Sequence, residues 1–228
     1  MRAVLLDALG TLLELEPPWP LLREELARRG VEVTEDDARG ALLAEMAYYR
    51  AHHDEAVDLA ALDDLRDRCT AVLAAGLPPR ARELPDLKAA LLASLRFRPY
   101  PEVPEVLAAL RERGAALVVV SNWDVSLHGV LAATGLAPLV DHVLTSAEEG
   151  AAKPDRAIFA RALARAGARP GEAVHAGDSV EADVEGARAA GVRAVLVARD
   201  GAPAPAGVEA VADLRGLLAP GLYRPGPA

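Results

Sequence analysis

The sequence predicts an α/β protein, a parallel sheet with helices on both of its faces, interrupted by an inserted all-helical domain. Three observations predict it. Short apolar runs alternate with helical stretches from about residue 100 onward. No convincing strand lies between residues 17 and 95. A buried-strand run opens the chain, ahead of that helical block. Residues 1–16 and 97–228 are therefore assigned to the core, and 17–96 to the insertion.

The elements follow in order. Ala3 to Leu6 is an apolar run with turn residues after it, as in a strand buried on both faces. LLREELARRG (21–30) has helical spacing and a glycine stop. Thr34, before Glu35, Asp36 and Asp37, reads as the cap and acidic first turn of a helix reaching about His53. Residues 56–76 and 84–95 supply two more helices. Then come a helix over 102–114, a strand in ALVVVSN, a helix from about Val125 to Thr134 and a short strand over 142–146. A helix over 157–167, a strand ending at Gly177, a helix over 181–191 and a strand over 192–198 complete the alternation. Pro154 is expected at the first turn of the helix after Lys153. The pattern reads as right-handed βαβ units in a Rossmann-like sheet. Residues 201–207 form a loop, and the last residues read as a loosely held tail.

Composition excludes several classes of function. The net charge of −9 lacks the basic face a nucleic-acid binder needs. No apolar stretch is long enough for a bilayer, and the N-terminus lacks a signal pattern. A single cysteine, Cys69, excludes an internal disulfide and points to the cytoplasm. An anionic substrate must then be held by local positive groups. The rare letters are informative here. Only Lys88 and Lys153 are lysine, and Asn122 is the only asparagine.

In open parallel sheets the ligand crevice lies at the carboxyl ends of the strands. Asp7 ends the first strand, where a carboxylate can attack an electrophile or merely cap a turn. Ser121 and Asn122 end the second, where hydroxyl and backbone N–H groups can bind phosphate oxygens. The retained asparagine favours a specific role. Lys153 is a compact point charge in a chain that otherwise uses arginine, placed to meet an anion or a carboxylate. Asp178 and Asp183 are spaced to serve one magnesium ion, one of them directly.

Together LLDALGT, VVVSN, the lysine of AAKPD and HAGDSVEAD followed by GARAAG resemble the four motifs of the haloacid dehalogenase-like hydrolase superfamily. The resemblance covers nearly the whole chain and includes the helical insertion, which corresponds to the family's cap. It implies a magnesium-dependent phosphatase in which Asp7 attacks phosphorus and forms an aspartyl-phosphate. Ser121 and Lys153 would bind the phosphoryl group, with Thr11 and Asn122 among the substrate contacts. Asp7, Asp178 and the backbone carbonyl of Leu9 would hold Mg2+, supported by Asp183.

Leu9 departs from the phosphatase pattern, which usually has a second Asp there as general acid and base. That help is typically worth about 10²–10⁴-fold, so the resemblance implies substrates with good leaving groups. Dehalogenases of the same superfamily carry a D-A-Y-G-T motif close to DALGT. They need neither that acid nor a metal and are the rival reading, with a catalytically weak binding module as the third. GDSVEAD favours metal and phosphoryl transfer.

Within the insertion, MAYYRAHHDEA (46–56) gathers Tyr49, Arg50 and His53, expected as lid residues that contact a small phosphorylated substrate. No partner macromolecule is implied, and the chain is expected as a monomer or homodimer.

Overall fold

The computed structural model describes residues 1–219. The end of the expected C-terminal tail lies outside the described residues. The chain divides into two compact units, Met1–Glu14 with the chain from Pro99 onward, and Leu15–Arg98.

The first unit is built on a six-stranded sheet in the order β5-β4-β1-β6-β7-β8, parallel throughout. Its strands are β1 (Ala3–Leu6), β4 (Ala116–Ser121), β5 (His142–Thr145), β6 (Ala173–Gly177), β7 (Arg193–Val197) and β8 (Ala210–Val211). β2 (Leu13–Leu15) and β3 (Phe97–Pro99) pair as a separate ribbon. β1 lies between β4 and β6, aligning Leu5 with Val118 on one side and His175 on the other.

Burial on both faces explains the continuous apolar runs. On one face Leu5, Val118, Val120 and Leu144 pack with Ile158, Phe159 and Leu163 of α9 (Arg156–Ala166) and Ala187 of α10 (Gly186–Ala189). The alternate residues Val4, Leu6, Leu117 and Val119 are equally buried. Against β4 lies α6 (Val103–Glu112), whose apolar stripe Val103, Val106, Leu107 and Leu110 is buried at helical spacing, and the short helices α7 (Leu127–Ala133) and α8 (Ser146–Glu149) follow β4 and β5.

The second unit contains α1 (Pro18–Arg28), α2 (Glu35–His52), α3 (Leu59–Gly76), α4 (Pro79–Arg82) and α5 (Leu87–Ser94). Its core is Leu22, Leu26, Leu42, Leu65, Leu73 and Leu91. Thr34 caps α2 by accepting from the Asp37 N–H at 3.1 Å. Asp58 accepts from Ala60 and Ala61, so α3 starts at Leu59, later than residue 56 as predicted. No helix among the described residues is long and apolar enough to cross a membrane.

Two further elements depart from the sequence reading. Pro154 does not open α9, which starts at Arg156 because the Asp155 carboxylate takes the Ala157 N–H at 2.9 Å. The single helix predicted over 181–191 is instead a π-turn, Val180–Glu185, running into the short α10. Ser179 causes the difference. Its hydroxyl accepts from Ala182, while its carbonyl takes both Asp183 and Val184. The bond from Val184 spans five residues and widens the turn.

Leu5 sits at the centre of the sheet with no exposure. Leu5→Ala is expected to cost about 2–5 kcal/mol, read as a lower urea midpoint at unchanged slope.

Candidate active site

From β1 the chain winds outward to β4 and β5, then returns past β1 to β6, β7 and β8. The strand order therefore reverses at β1, where an open parallel sheet forms its crevice. Asp7 directly follows β1, and its N–H bonds the Ala176 carbonyl at 3.0 Å, so the ladder carries it to the strand end. Ser121 closes β4, and Gly177 closes β6 beside it in sequence to Asp178.

Lys153 joins these ends. Its Nζ lies 2.6 Å from Asp7 Oδ1 and 2.6 Å from Asp183 Oδ1, with all three side chains at most 9% exposed. The Ser121 hydroxyl donates to the same Asp7 oxygen at 3.2 Å. Asn122 acts one step back. Its amide donates to the Lys153 carbonyl at 2.8 Å and its oxygen accepts the Lys153 N–H at 2.7 Å. The asparagine expected among the substrate contacts thus uses both polar atoms to clamp the lysine's backbone.

Asp183 is held from three sides. Its Oδ1 also accepts from His175 Nε2 at 2.8 Å, and its Oδ2 from the Ser179 N–H at 3.0 Å. The π-turn brings it back against β6 so closely that a Cβ on Gly177 would overlap its carboxylate. With its bonds going to the protein, Asp183 is a support for Lys153 and for the turn. Asp178, by contrast, keeps part of its surface open to solvent. Asp7, Asp178 and Asp183 each place one carboxylate oxygen within 4.8 Å of the others, a grouping that can hold a cation.

The electrostatics follow. Burial pushes the Asp7 carboxyl up, against the pull of Lys153. Partial burial, then the charges of Asp7 and Asp183, push Asp178 up to about 6. Despite burial, Lys153 and His175 hold Asp183 below the usual carboxylate range. Burial disfavours the Lys153 ammonium, but two adjacent carboxylates more than compensate and raise it. Three acids share one buried cation, and the excess negative charge is what a divalent ion would neutralise.

The loop after Asp7 turns at Gly10, whose φ of +82° few other residues tolerate. A Cβ there would also overlap Asp178 Oδ2. Arg199 fastens this loop, donating from Nε to the Gly10 carbonyl at 3.1 Å and from Nη2 to the Thr11 carbonyl at 2.6 Å. The same guanidinium meets the buried Glu102 at 2.7 Å and lies 3.5 Å over the Tyr100 ring. Thr11, expected to contact substrate, is fully buried, so its visible contribution is to loop geometry. Leu9 is 43% exposed, a free apolar side chain two residues after Asp7.

The sequence reading missed His175, Arg199 and Glu102. HAGDS did carry a signal, since a histidine inside an otherwise apolar strand run needs a buried partner. Arg199 follows its strand in a chain rich in arginine and gave none. Tyr49, Arg50 and His53 lie within the helical unit, where they form a local network. The Tyr49 and His53 rings meet at a tilt of 36° with centroids 5.8 Å apart, and His53 Nδ1 lies 3.0 Å from the Arg50 carbonyl.

This fold and strand-end site define a class of α/β proteins built around a carboxylate paired with a buried lysine. The chain belongs to the haloacid dehalogenase-like hydrolase family, whose model matches residues 1–191. It is 43% identical to the phosphoserine phosphatase of Thermus thermophilus over 143 residues, which is 62% of this chain and 56% of that protein. The match thus spans little more than half of that relative's length. A HAD phosphatase from Thermococcus onnurineus shares the fold at a TM-score of 0.67 and 27% identity, over 95% of this chain and 96% of that one. A 2-haloacid dehalogenase from Pseudomonas syringae does so at a TM-score of 0.65 and 25% identity, over 96% of each chain.

The Lys153 bonds give an asymmetric stability prediction. Lys153→Met leaves two buried carboxylates without their cation and should cost about 3–5 kcal/mol at neutral pH. Asp7→Asn leaves Lys153 paired with Asp183 and should cost under about 1 kcal/mol or add stability. Urea titrations of the two variants read the difference.

Asp178 adds a pH dependence. Its value of about 6 exceeds the 3.8 of an unperturbed Asp, so the folded state binds its proton more tightly than the unfolded chain. Its contribution to stability is full below about 4 and is lost as the pH rises through about 6. In the presence of a chelator, Asp178→Asn should flatten the melting-temperature profile across that window.

Proposed function

We propose that this chain is a hydrolase that cleaves small phosphorylated metabolites through a covalent intermediate on Asp7. The observation that carries the proposal is the buried Lys153 ammonium, 2.6 Å from Asp7 Oδ1 and beside a three-carboxylate cluster. The phosphatases among its relatives point the same way.

Lys153 and Ser121 both bond Asp7 Oδ1, which orients the carboxylate and presents Oδ2 to the substrate. Oδ2 attacks phosphorus in line, the bond to the leaving oxygen breaks with its electron pair, and the phosphoryl group rests on Asp7. Water then attacks the same phosphorus, releasing phosphate and restoring the carboxylate. Lys153 and the Ser121 hydroxyl are placed to balance the negative charge on the transferring group. The residues present fit Mg2+, since Asp7, Asp178 and Asp183 converge and Gly10 leaves room for the Asp178 carboxylate beside the others. Asp7 and Asp178 would hold the ion with the Leu9 carbonyl, and Asp183 would support them. When bound, the ion supplies the positive charge that keeps both carboxylates ionised and offsets charge on the phosphoryl oxygens.

Leu9 sets the substrate preference. It cannot protonate a departing alkoxide, so acyl or aryl phosphates, whose leaving groups depart as stable anions, suit the site best. The helical unit serves as the cap that selects among them, with Tyr49, Arg50 and His53 as its contact residues. A cytoplasmic setting fits the lone, buried Cys69.

A second reading draws on the same Leu9. Halide leaves carbon without a proton, so a metal-independent dehalogenase also tolerates leucine there, and the P. syringae structure is a neighbour. Asp178 disfavours it, because displacement at carbon has no use for an additional acid beside the nucleophile.

A panel of phosphate esters, acyl phosphates and 2-haloacids, assayed with and without Mg2+, tests the proposal. Turnover should require Mg2+, favour aryl and acyl phosphates and vanish in Asp7→Asn. Leu9→Asp should raise hydrolysis of unactivated alkyl esters, toward the roughly 10²-fold that a placed general acid supplies. Metal-independent halide release, with no phosphate release from any substrate, would refute the phosphatase reading.

A further inference from the structure

The mechanism above leaves the buried imidazole of His175 unused. His175 lies on the central strand β6 with no exposure. Its Nε2 is 2.8 Å from Asp183 Oδ1, and its ring meets Phe159 edge-on at 5.1 Å between centroids. Its Nδ1 is buried without a hydrogen-bond partner among the described residues.

These contacts fix the direction of the bond. Asp183 also accepts from the Lys153 ammonium and the Ser179 N–H, as an ionised carboxylate does. Nε2 must therefore carry the hydrogen and donate it. The ring is held in place on its other side by the edge-on Phe159.

The bond acts on the reaction through two intermediaries. His175 and Ser179 fix the Asp183 carboxylate, Asp183 holds one side of the Lys153 ammonium, and Lys153 holds Asp7 Oδ1. Without the imidazole, Oδ1 of Asp183 would keep only the lysine. The carboxylate could then rotate about its remaining bonds and carry the ammonium away from Asp7. We propose that His175 is a positioning residue, whose Nε2–H holds Asp183 so that Lys153 stays against the nucleophile. Its effect on turnover rests on the phosphohydrolase reading above, whereas the bond chain itself can be read without activity.

The lysine count makes that measurement tractable. With only Lys88 and Lys153 in the chain, protein labelled with 15N at lysine Nζ gives at most two ammonium signals. Lys88 sits between Asp63 and Asp67 on the helical unit and is assigned by its loss in Lys88→Arg. The buried Lys153 ammonium should give a signal protected from solvent exchange. In His175→Leu that signal should broaden or vanish. In His175→Gln, whose amide nitrogen can donate from nearly the place of Nε2, it should persist. On an aryl phosphate, His175→Leu should lower kcat by about 10–100-fold per folded enzyme, as loss of such supporting bonds typically does. KM should change far less, and His175→Gln should recover most of the loss.

An unchanged Lys153 signal in His175→Leu, or equal loss in both variants while both stay folded, would overturn the inference. Should His175→Leu fail to fold, His175→Asn replaces it, because its shorter amide cannot reach Asp183. If no substrate turns over, the phosphohydrolase reading fails while the ammonium spectra still decide the role of His175.

Discussion

A single buried ammonium organises the candidate site. Lys153 lies between Asp7 and Asp183 at 2.6 Å from each, with almost no contact with water. Burying any one of these charges alone would be prohibitive, and the group is tolerable because each member is paired and hydrogen-bonded. Lys153 therefore cannot be separated from the carboxylates, and much of the surrounding structure fixes it. Asn122 clamps its backbone through two bonds, while His175 and Ser179 brace the acid on its far side. A lysine suits the place because one compact charge can touch two carboxylates.

The sheet provides what this arrangement requires. Asp7, Ser121 and Asp178 come from segments distant in sequence, and only parallel strands with a reversal at β1 bring their ends together. The remaining adjustments are local. The π-turn after Ser179 returns Asp183 to β6, and Gly177 leaves room for its carboxylate. Gly10 takes a positive φ beside Asp178, and Arg199 ties down the carbonyls that follow. Widened turns and left-handed glycines of this kind gather at functional sites because chemistry, not stability, dictates the geometry there.

The sequence carried most of the fold because its signals are local. Continuous apolar runs marked β1, β4, β6 and β7, and glycine stops or polar caps marked most helices. It carried Asp7, Ser121 and Asp178 because each closes or directly follows a strand, and Lys153 because lysine is rare in this chain. The π-turn was not legible, since EADVEGARAAG has ordinary helical spacing and the deviation arises from Ser179 outside it. Two-residue β8 was too short to carry a periodicity. Asn122 was recognised as special, but its contact with Lys153 spans 31 residues, and no local pattern encodes the partner. The same holds for Arg199, which meets Gly10 from 189 residues away.

Leu9 fixes the chemical character that this account ascribes to the site. The nucleophile, its cation and its carboxylate neighbours are in place, while the side chain two residues on is apolar and exposed. The central claim is that Asp7 transfers a phosphoryl group and is regenerated by attack of water at phosphorus. Single turnover of an aryl phosphate in H2(18)O, with Mg2+ present, tests it most directly. The account predicts one labelled oxygen in the released phosphate and none in the peptide containing Asp7. Label in the Asp7 carboxylate would contradict it, because water would then have attacked an ester carbonyl on Asp7, as displacement at carbon requires.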